Sequence, residues 1–262
     1  MSSTIATTMR RVRSRRSRFS RWLAMRRIRQ LRPIVIGGCA RSGTTLLLSL
    51  LSSHRQIAAI PYETQLLCPG AYWPPEGGIS KHDTEKLYRE VSEIRDCGTC
   101  LAWCEKTPRN VSTFEAILAT LGSRARLIHI VRDGRDVVLS RHPKKPAEYW
   151  VSPERWLSDV RAGLAFRDHP QVVTIQYEDL VSDLPLWSRR LCEFLSLEFD
   201  DRLEQYPRFA SVVSSDAWFQ KAHAVSSESI GQWKQPANTV RVQELLETPG
   251  ATTLLKELGY ES

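Results

Sequence analysis

The stretch Pro33-Ile34-Val35-Ile36-Gly37-Gly38-Cys39-Ala40-Arg41-Ser42-Gly43-Thr44-Thr45-Leu46-Leu47-Leu48-Ser49 constrains the fold of this chain more than any other. Three β-branched residues in a row favour a strand, and a run of small residues then breaks it. Leucines at 46, 47, 50 and 51 follow at helical spacing. The order is strand, loop, helix. Such a loop directs successive backbone N–H groups inward and opens on a helix N-terminus, which together make an anion site. Against the phosphate-loop pattern G-x-x-x-x-G-K-[ST], Gly38 and Gly43 take the glycine positions and Thr45 the hydroxyl position. Thr44 stands where the lysine belongs, and Arg41 lies inside the loop. The loop can hold phosphate but lacks the ammonium that reaches the outer phosphates of a triphosphate.

The remaining chain repeats the alternation. Strands are expected over 56–60, 101–105, 126–131 and 171–176, each an apolar run bounded by polar or turn residues. Helices are expected over 83–94, 110–121 (with Asn110 as cap), 133–141, 152–167 and 184–195, and a last one runs from 248 to Gly259. This order predicts an α/β fold of three layers, a parallel sheet with helices on both faces. In such folds the ligand sits at the carboxyl ends of the strands. Residues 68–81, rich in proline and glycine, read as a long loop.

Charge divides the chain in two. Of 37 basic residues, eleven arginines fall within residues 1–32, which hold no acid. The rest carries 26 basic against 29 acidic side chains, so the net charge of +8 belongs to the N-terminal extension. Residues 1–32 read as a disordered extension and 33–262 as one domain. Other readings of the extension are a transit peptide and, through residues 10–32, an attachment to an anionic membrane surface or nucleic acid. A short amphipathic helix over 19–31, packed on the domain or a membrane, is a further reading. No apolar run approaches the roughly 18–20 residues of a membrane span, and no secretory h-region is seen. The expectation is a cytoplasmic protein, with peripheral membrane attachment as the alternative. Cys97, Cys100 and Cys104 have a spacing that suits a metal or a redox pair but no fourth ligand nearby, so buried or incidental thiols are expected, with an opportunistic disulfide as the second reading. The six histidines show no metal spacing, and His129, inside a strand, reads as a core residue.

Polar clusters fall directly after the expected strands: the loop at 38–45, Tyr62-Glu63-Thr64, Glu105-Lys106-Thr107, Arg132-Asp133-Gly134-Arg135 and Tyr177-Glu178-Asp179. All gather at one edge of a parallel sheet, which points to a single site. Arg132 and Ser140 lie eight apart, about two turns on a helix from 133, and offer a guanidinium fork and a hydroxyl to a phosphate. The competing reading is an Arg-Asp turn pair, Arg132 with Asp136 or Asp133 with Arg135, of little energetic weight at a surface.

Residues 37–47 and 130–141 together resemble the two signature segments of sulfotransferases that use 3′-phosphoadenosine 5′-phosphosulfate (PAPS). The pattern is most similar to the branch with tyrosylprotein sulfotransferases and related bacterial enzymes. The resemblance implies a P-loop-like fold and transfer of a sulfuryl group to a hydroxyl acceptor, without a metal. It places Arg41, Ser42, Gly43, Thr44 and Thr45 on the 5′-phosphosulfate, and Arg132 and Ser140 on the 3′-phosphate. It makes Glu63, in Glu63-Thr64, the base. Lys106, in Lys106-Thr107-Pro108, and Arg41 become the counter-charges. Tyr177 is implied as a nucleotide contact, and Ser226 and Lys234 as candidates in a late loop. Gln65 departs from the tyrosylprotein pattern, which has arginine there. The acceptor stays open among saccharide, peptide, lipid and small alcohol. Two alternatives stand beside this reading. One is a P-loop kinase or triphosphatase, which Thr44 argues against. The other is an inactive nucleotide fold with a basic arm.

Overall fold

A computed structural model describes residues 18–69, 78–94, 99–142, 144–212 and 227–260. Most of the arginine-rich extension, Cys97, Ser226 and residues 70–77 of the expected loop lie outside the described residues.

The strands are β1 (Arg32–Gly38), β2 (Ile57–Ala59), β3 (Ala102–Lys106), β4 (Arg126–Val131), β5 (Arg141–His142), β6 (Lys145–Tyr149) and β7 (Val172–Gln176). The helices are α1 (Arg18–Ile28), α2 (Thr44–Ser52), α3 (Lys81–Ser92), α4 (Phe114–Leu121), α5 (Gly134–Val137), α6 (Pro153–Leu164), α7 (Tyr177–Ser182), α8 (Leu184–Leu195), α9 (Tyr206–Phe209), α10 (Thr239–Glu247) and α11 (Ala251–Glu257). Five strands form a parallel sheet in the order β2-β3-β1-β4-β7, and β5 and β6 make a separate antiparallel pair.

Alternation along the strands sorts the core into two layers. Ile34, Ile36, Ala102, Cys104, Ile128 and Ile130 pack on one face with the leucines of α2 and with Leu191 and Leu195 of α8. Val35, Trp103 and Leu127 pack on the other with Leu87 and Val91 of α3 and Phe114 and Ile117 of α4. Helices therefore cover both faces, as the sequence predicts. A third cluster at the carboxyl end joins Cys39 and Val131 to Trp156 of α6 and Leu254 of α11.

Three local expectations are corrected, and one element is new. Residues 18–32 are not a free extension: they form α1 and enter β1, with Ile28 and Leu31 buried among the core side chains of α3 and α4. The helix expected over 133–141 is a single turn, because the Ser140 carbonyl accepts from the Trp150 N–H at 2.8 Å and the chain turns into the β5–β6 hairpin. Asn110 is not a helix cap. It lies inside a 3-10 turn, Pro108–Thr113, and α4 starts at Phe114. Its side chain is drawn instead to the Ile36 carbonyl at 3.1 Å. The β5–β6 hairpin itself has no counterpart in the sequence reading.

Candidate active site

Three of the sheet-edge clusters meet at Lys106, the last residue of β3. Its ammonium donates to Glu63 Oε1 at 2.6 Å and to Thr45 Oγ1 at 3.3 Å. Thr45 belongs to the loop–helix junction and Glu63 to the turn after β2, so this one group joins two segments of the site to β3. Lys106 is fully buried, whereas about a quarter of the Glu63 side chain is exposed. Burial pulls the Lys106 pKa down, and the Glu63 carboxylate pushes back.

Glu105, the preceding residue, is also fully buried and fixes the frame around the pair. Its Oε1 accepts from Thr64 N at 3.2 Å, Thr64 Oγ1 at 2.9 Å and Thr107 Oγ1 at 2.7 Å. Its Oε2 accepts from Asn110 Nδ2 at 2.7 Å. Thr107 Oγ1 accepts in turn from Gln65 N at 3.2 Å. The turn carrying Glu63 is thereby tied to β3 and, through Asn110 and Ile36, to β1. Burial raises the Glu105 pKa, and the hydrogen bonds from Thr107, Asn110 and Thr64 oppose the rise.

The loop after β1 is held in unusual backbone shapes. Arg41 has φ 73° and Gly43 φ 95°, and Gln65, two residues beyond Glu63, has φ 57°. Left-handed backbone costs a non-glycine residue about 1–2 kcal/mol, and such strain concentrates at functional sites. A Cβ on Gly43 would lie 2.4 Å from the Tyr177 ring. The N-cap of α2 is Gly43, which has no side chain to offer the helix's first N–H groups, and these have no intrahelical acceptor.

Across the loop, residues 132–136 act as a junction. The Arg132 guanidinium donates to the Arg41 carbonyl at 3.2 Å and to the Ser229 carbonyl, and it stands 4.6 Å from the Tyr177 ring centre. The Tyr177 hydroxyl is 2.9 Å from Ser229 Oγ. Asp133 takes a two-pronged bond from Arg135 at 2.9–3.0 Å, one of the two pairings weighed from sequence, and Arg135 stacks 3.6 Å from the Trp233 ring centre. Asp136 accepts from Gly231 N at 2.7 Å and Trp233 N at 3.0 Å. Glu178 accepts from Asp133 N at 3.0 Å and from the Tyr260 hydroxyl at 2.7 Å. Burial raises the Asp136 and Glu178 pKa values, and their hydrogen bonds hold the rise back.

The structure thus brings Glu63, Lys106 and Thr45 together, and separately Arg132, Tyr177 and the backbone of Arg41. Ser42 and Thr44 are buried in the loop beside Gly43. Ser140 ends the α5 turn, its N–H bonded to the Val137 carbonyl at 3.1 Å. Lys234 is exposed beside Trp233, 5.5 Å from the ring centre. Sequence reasoning missed Glu105, Thr107, Asn110, Asp136 and Ser229 as organisers. The cluster Glu105-Lys106-Thr107 and the candidate Arg132–Asp136 pair drew attention to three of them, and nothing local signalled Asn110 or Ser229 as organisers. His129 is buried, as expected, with its imidazole pushed down to about 3 by burial. Cys39, Cys68, Cys104 and Cys192 are free and buried, and Cys100 is buried.

A profile described as the sulfotransferase family matches residues 33–90 and 78–201, which span β1, the Glu63 turn, Lys106 and the 132–136 junction. The chain belongs to the sulfotransferase family. Solved sulfotransferases share its fold. The sulfotransferase domain from the curacin biosynthetic pathway superposes with a TM-score of 0.62 at 17% identity, covering 88% of this chain and 98% of that one. The sulfotransferase domain of the Synechococcus PCC 7002 olefin synthase gives 0.56 at 20% identity, covering 83% and 95%. Mouse sulfotransferase SULT7A1, solved in complex with PAP, gives 0.55 at 16% identity, covering 91% and 94%. An uncharacterised protein of Aquifex aeolicus (strain VF5) is 24% identical over 238 residues, 78% of this chain. The chain spans 30% of the length of that relative. No helix among the described residues is long and apolar enough to cross a membrane.

Proposed function

We propose that this sulfotransferase moves a sulfuryl group from PAPS to a hydroxyl acceptor, with Glu63 as base. The observation that carries the reading is the Lys106 ammonium bonded at once to Glu63 and to Thr45 of the loop. It supplies from β3 the positive charge that Thr44 leaves out of the loop. Two further features favour an anionic donor here. Among the described residues, Ser42 Oγ and Arg132 Nε are buried without a hydrogen-bond partner, a state costing about 1–3 kcal/mol each that a bound oxyanion can relieve. The uncapped start of α2 offers backbone donors to the same ligand. The PAP bound in the mouse neighbour is the product that such a transfer leaves.

In this scheme the loop residues Arg41 to Thr45 hold the 5′-phosphosulfate, and Arg132 and Ser140 hold the 3′-phosphate. Tyr177 is a nucleotide contact, with Ser226 and Lys234 as further candidates. Glu63 takes the acceptor's proton as the acceptor oxygen bonds to sulfur. The bond from sulfur to the bridging phosphate oxygen breaks in line, and the electron pair leaves on the 5′-phosphate of PAP. Lys106 and Arg41 stabilise charge on the sulfuryl oxygens and the leaving phosphate. Because Lys106 holds Glu63 before the acceptor arrives, the base is positioned in advance.

Labelled PAPS with a panel of hydroxyl acceptors tests the scheme. Glu63→Gln is expected to lower turnover by about 10²–10⁴-fold, the usual weight of a general base, while PAP still raises the melting temperature. Stabilisation by ATP and not by PAP would overturn the donor, and full turnover by Glu63→Gln would overturn the base.

A further inference from the structure

All five sheet strands run parallel, so their amino ends share one edge, opposite the edge that carries Glu63, Lys106 and the loop. That far edge is strongly basic. Arg32 opens β1 and Arg126 opens β4, where Arg126 pairs with Ile34. Arg124, just before β4, donates to the Arg29 carbonyl at 2.6 Å and to the Gln30 carbonyl, which fastens the end of α1 to this edge. Arg126 donates to the Ala125 carbonyl at 2.9 Å, and Arg32 to the carbonyls of Leu195 and Ser196 at the end of α8. Every acceptor is a backbone carbonyl. Among the described residues Arg32, Arg124 and Arg126 have no carboxylate partner. Burial lowers the Arg32 pKa, and the charges of Arg126 and Arg124 lower it further.

Capping the ends of α1 and α8 explains one arginine at each helix. It does not explain the accumulation. Arg27 and Arg29 are exposed at the end of α1 beside the other three. Each guanidinium has five N–H donors, and the carbonyl bonds use at most two of them. Leu101 lies beside Arg32, just before β3. Its carbonyl accepts from Arg32 N at 3.0 Å, and its side chain is 52% exposed.

We propose that this amino-end edge docks on an anionic membrane surface, arginines against lipid phosphates and Leu101 in the headgroup boundary, with the catalytic edge turned away from the bilayer. An exposed leucine beside a row of cations suits a lipid interface, where apolar contact and charge add. A nucleic-acid backbone would use the charge alone.

The test uses the full chain and sedimentation with vesicles of phosphatidylcholine, alone or with phosphatidylserine. Binding is expected only with phosphatidylserine and is expected to weaken as salt rises. Arg124→Gln with Arg126→Gln is expected to weaken it about 25-fold, roughly fivefold per arginine. Leu101→Ser, which removes no capping bond, is expected to weaken binding without changing its salt dependence. Circular dichroism checks that both variants fold, and if the arginine pair fails to fold, Leu101→Ser and the exposed Arg27→Gln carry the test. Absence of phosphatidylserine-dependent binding overturns the proposal. So does unchanged binding by the folded variants, which would locate the interaction in residues 1–17. Tighter binding to a polyuridine RNA than to the vesicles at the same salt overturns it in favour of nucleic acid.

Discussion

Replacing Glu105 with glutamine asks whether a buried carboxylate, and not the strand alone, sets the positions of Glu63 and Lys106. Glu105 Oε1 collects three donors and Oε2 one. A glutamine can turn its carbonyl to the three, but its amide then meets Asn110 Nδ2, donor against donor. One hydrogen bond to a charged group is lost, about 1.5–3 kcal/mol. Asn110 keeps its bond to the Ile36 carbonyl, so the fold persists. Urea unfolding should show that loss, and sulfuryl transfer should fall about 10²-fold, the effect of a displacement near 1 Å at the reacting groups. PAP affinity should hold, because Arg132 and Tyr177 lie outside this network. The pH dependence has a definite sign. Burial raises the folded pKa of Glu105, so its contribution is present below the ordinary carboxylate value and is lost as pH rises through the raised one. The variant should lack that slope. Wild-type turnover in a destabilised Glu105→Gln would refute the positioning argument, and wild-type stability would refute the hydrogen-bond accounting.

Gly43→Ala should destabilise the fold by about 2–4 kcal/mol in thermal or urea unfolding, since φ is 95° and the new methyl meets the Tyr177 ring. Asp136→Ala leaves the Gly231 and Trp233 N–H groups without their acceptor, so amide exchange over 227–234 should accelerate and PAP binding weaken about tenfold or more. With the His129 imidazole pushed to about 3, the unfolded chain takes that proton first. Stability should therefore fall as pH drops from about 6.5 towards 3, by up to about 1.4 kcal/mol per pH unit, and His129→Gln should flatten the decline in denaturant titrations.

The five-strand sheet was legible because its strands are short apolar runs that punctuation residues separate, as Ile34 to Ile36 and Leu127 to Val131 show. The loop was legible because its glycine spacing answers a geometric need. Other features depended on contacts between distant segments. Ser140 and Trp150 are far enough apart that nothing in either sequence neighbourhood announces the bond that ends α5 after one turn. Glu105 and Lys106 are placed at the sheet edge by their position after a strand, but their full burial is not legible locally, because their partners arrive from residues 45, 63, 64 and 110. The arginine composition of residues 1–32 suggested a disordered extension, but the alternative reading of a short helix over 19–31 packed on the domain holds for α1, which Ile28 and Leu31 anchor to the core.

The strand order carries an evolutionary consequence. Glu63 follows β2 and Lys106 ends β3 on one flank of β1, whereas Arg132 follows β4 and Tyr177 begins where β7 ends on the other. In the proposed reaction the acceptor wing and the nucleotide wing are separate pieces of sheet, hinged on the loop after β1. Selection can therefore reshape the turn at 62–69 and the neighbouring α3 without loosening the opposite wing. A lineage built on this plan can diversify the hydroxyl it modifies while its donor stays fixed, and grafting that flank between relatives is the natural route to a new acceptor.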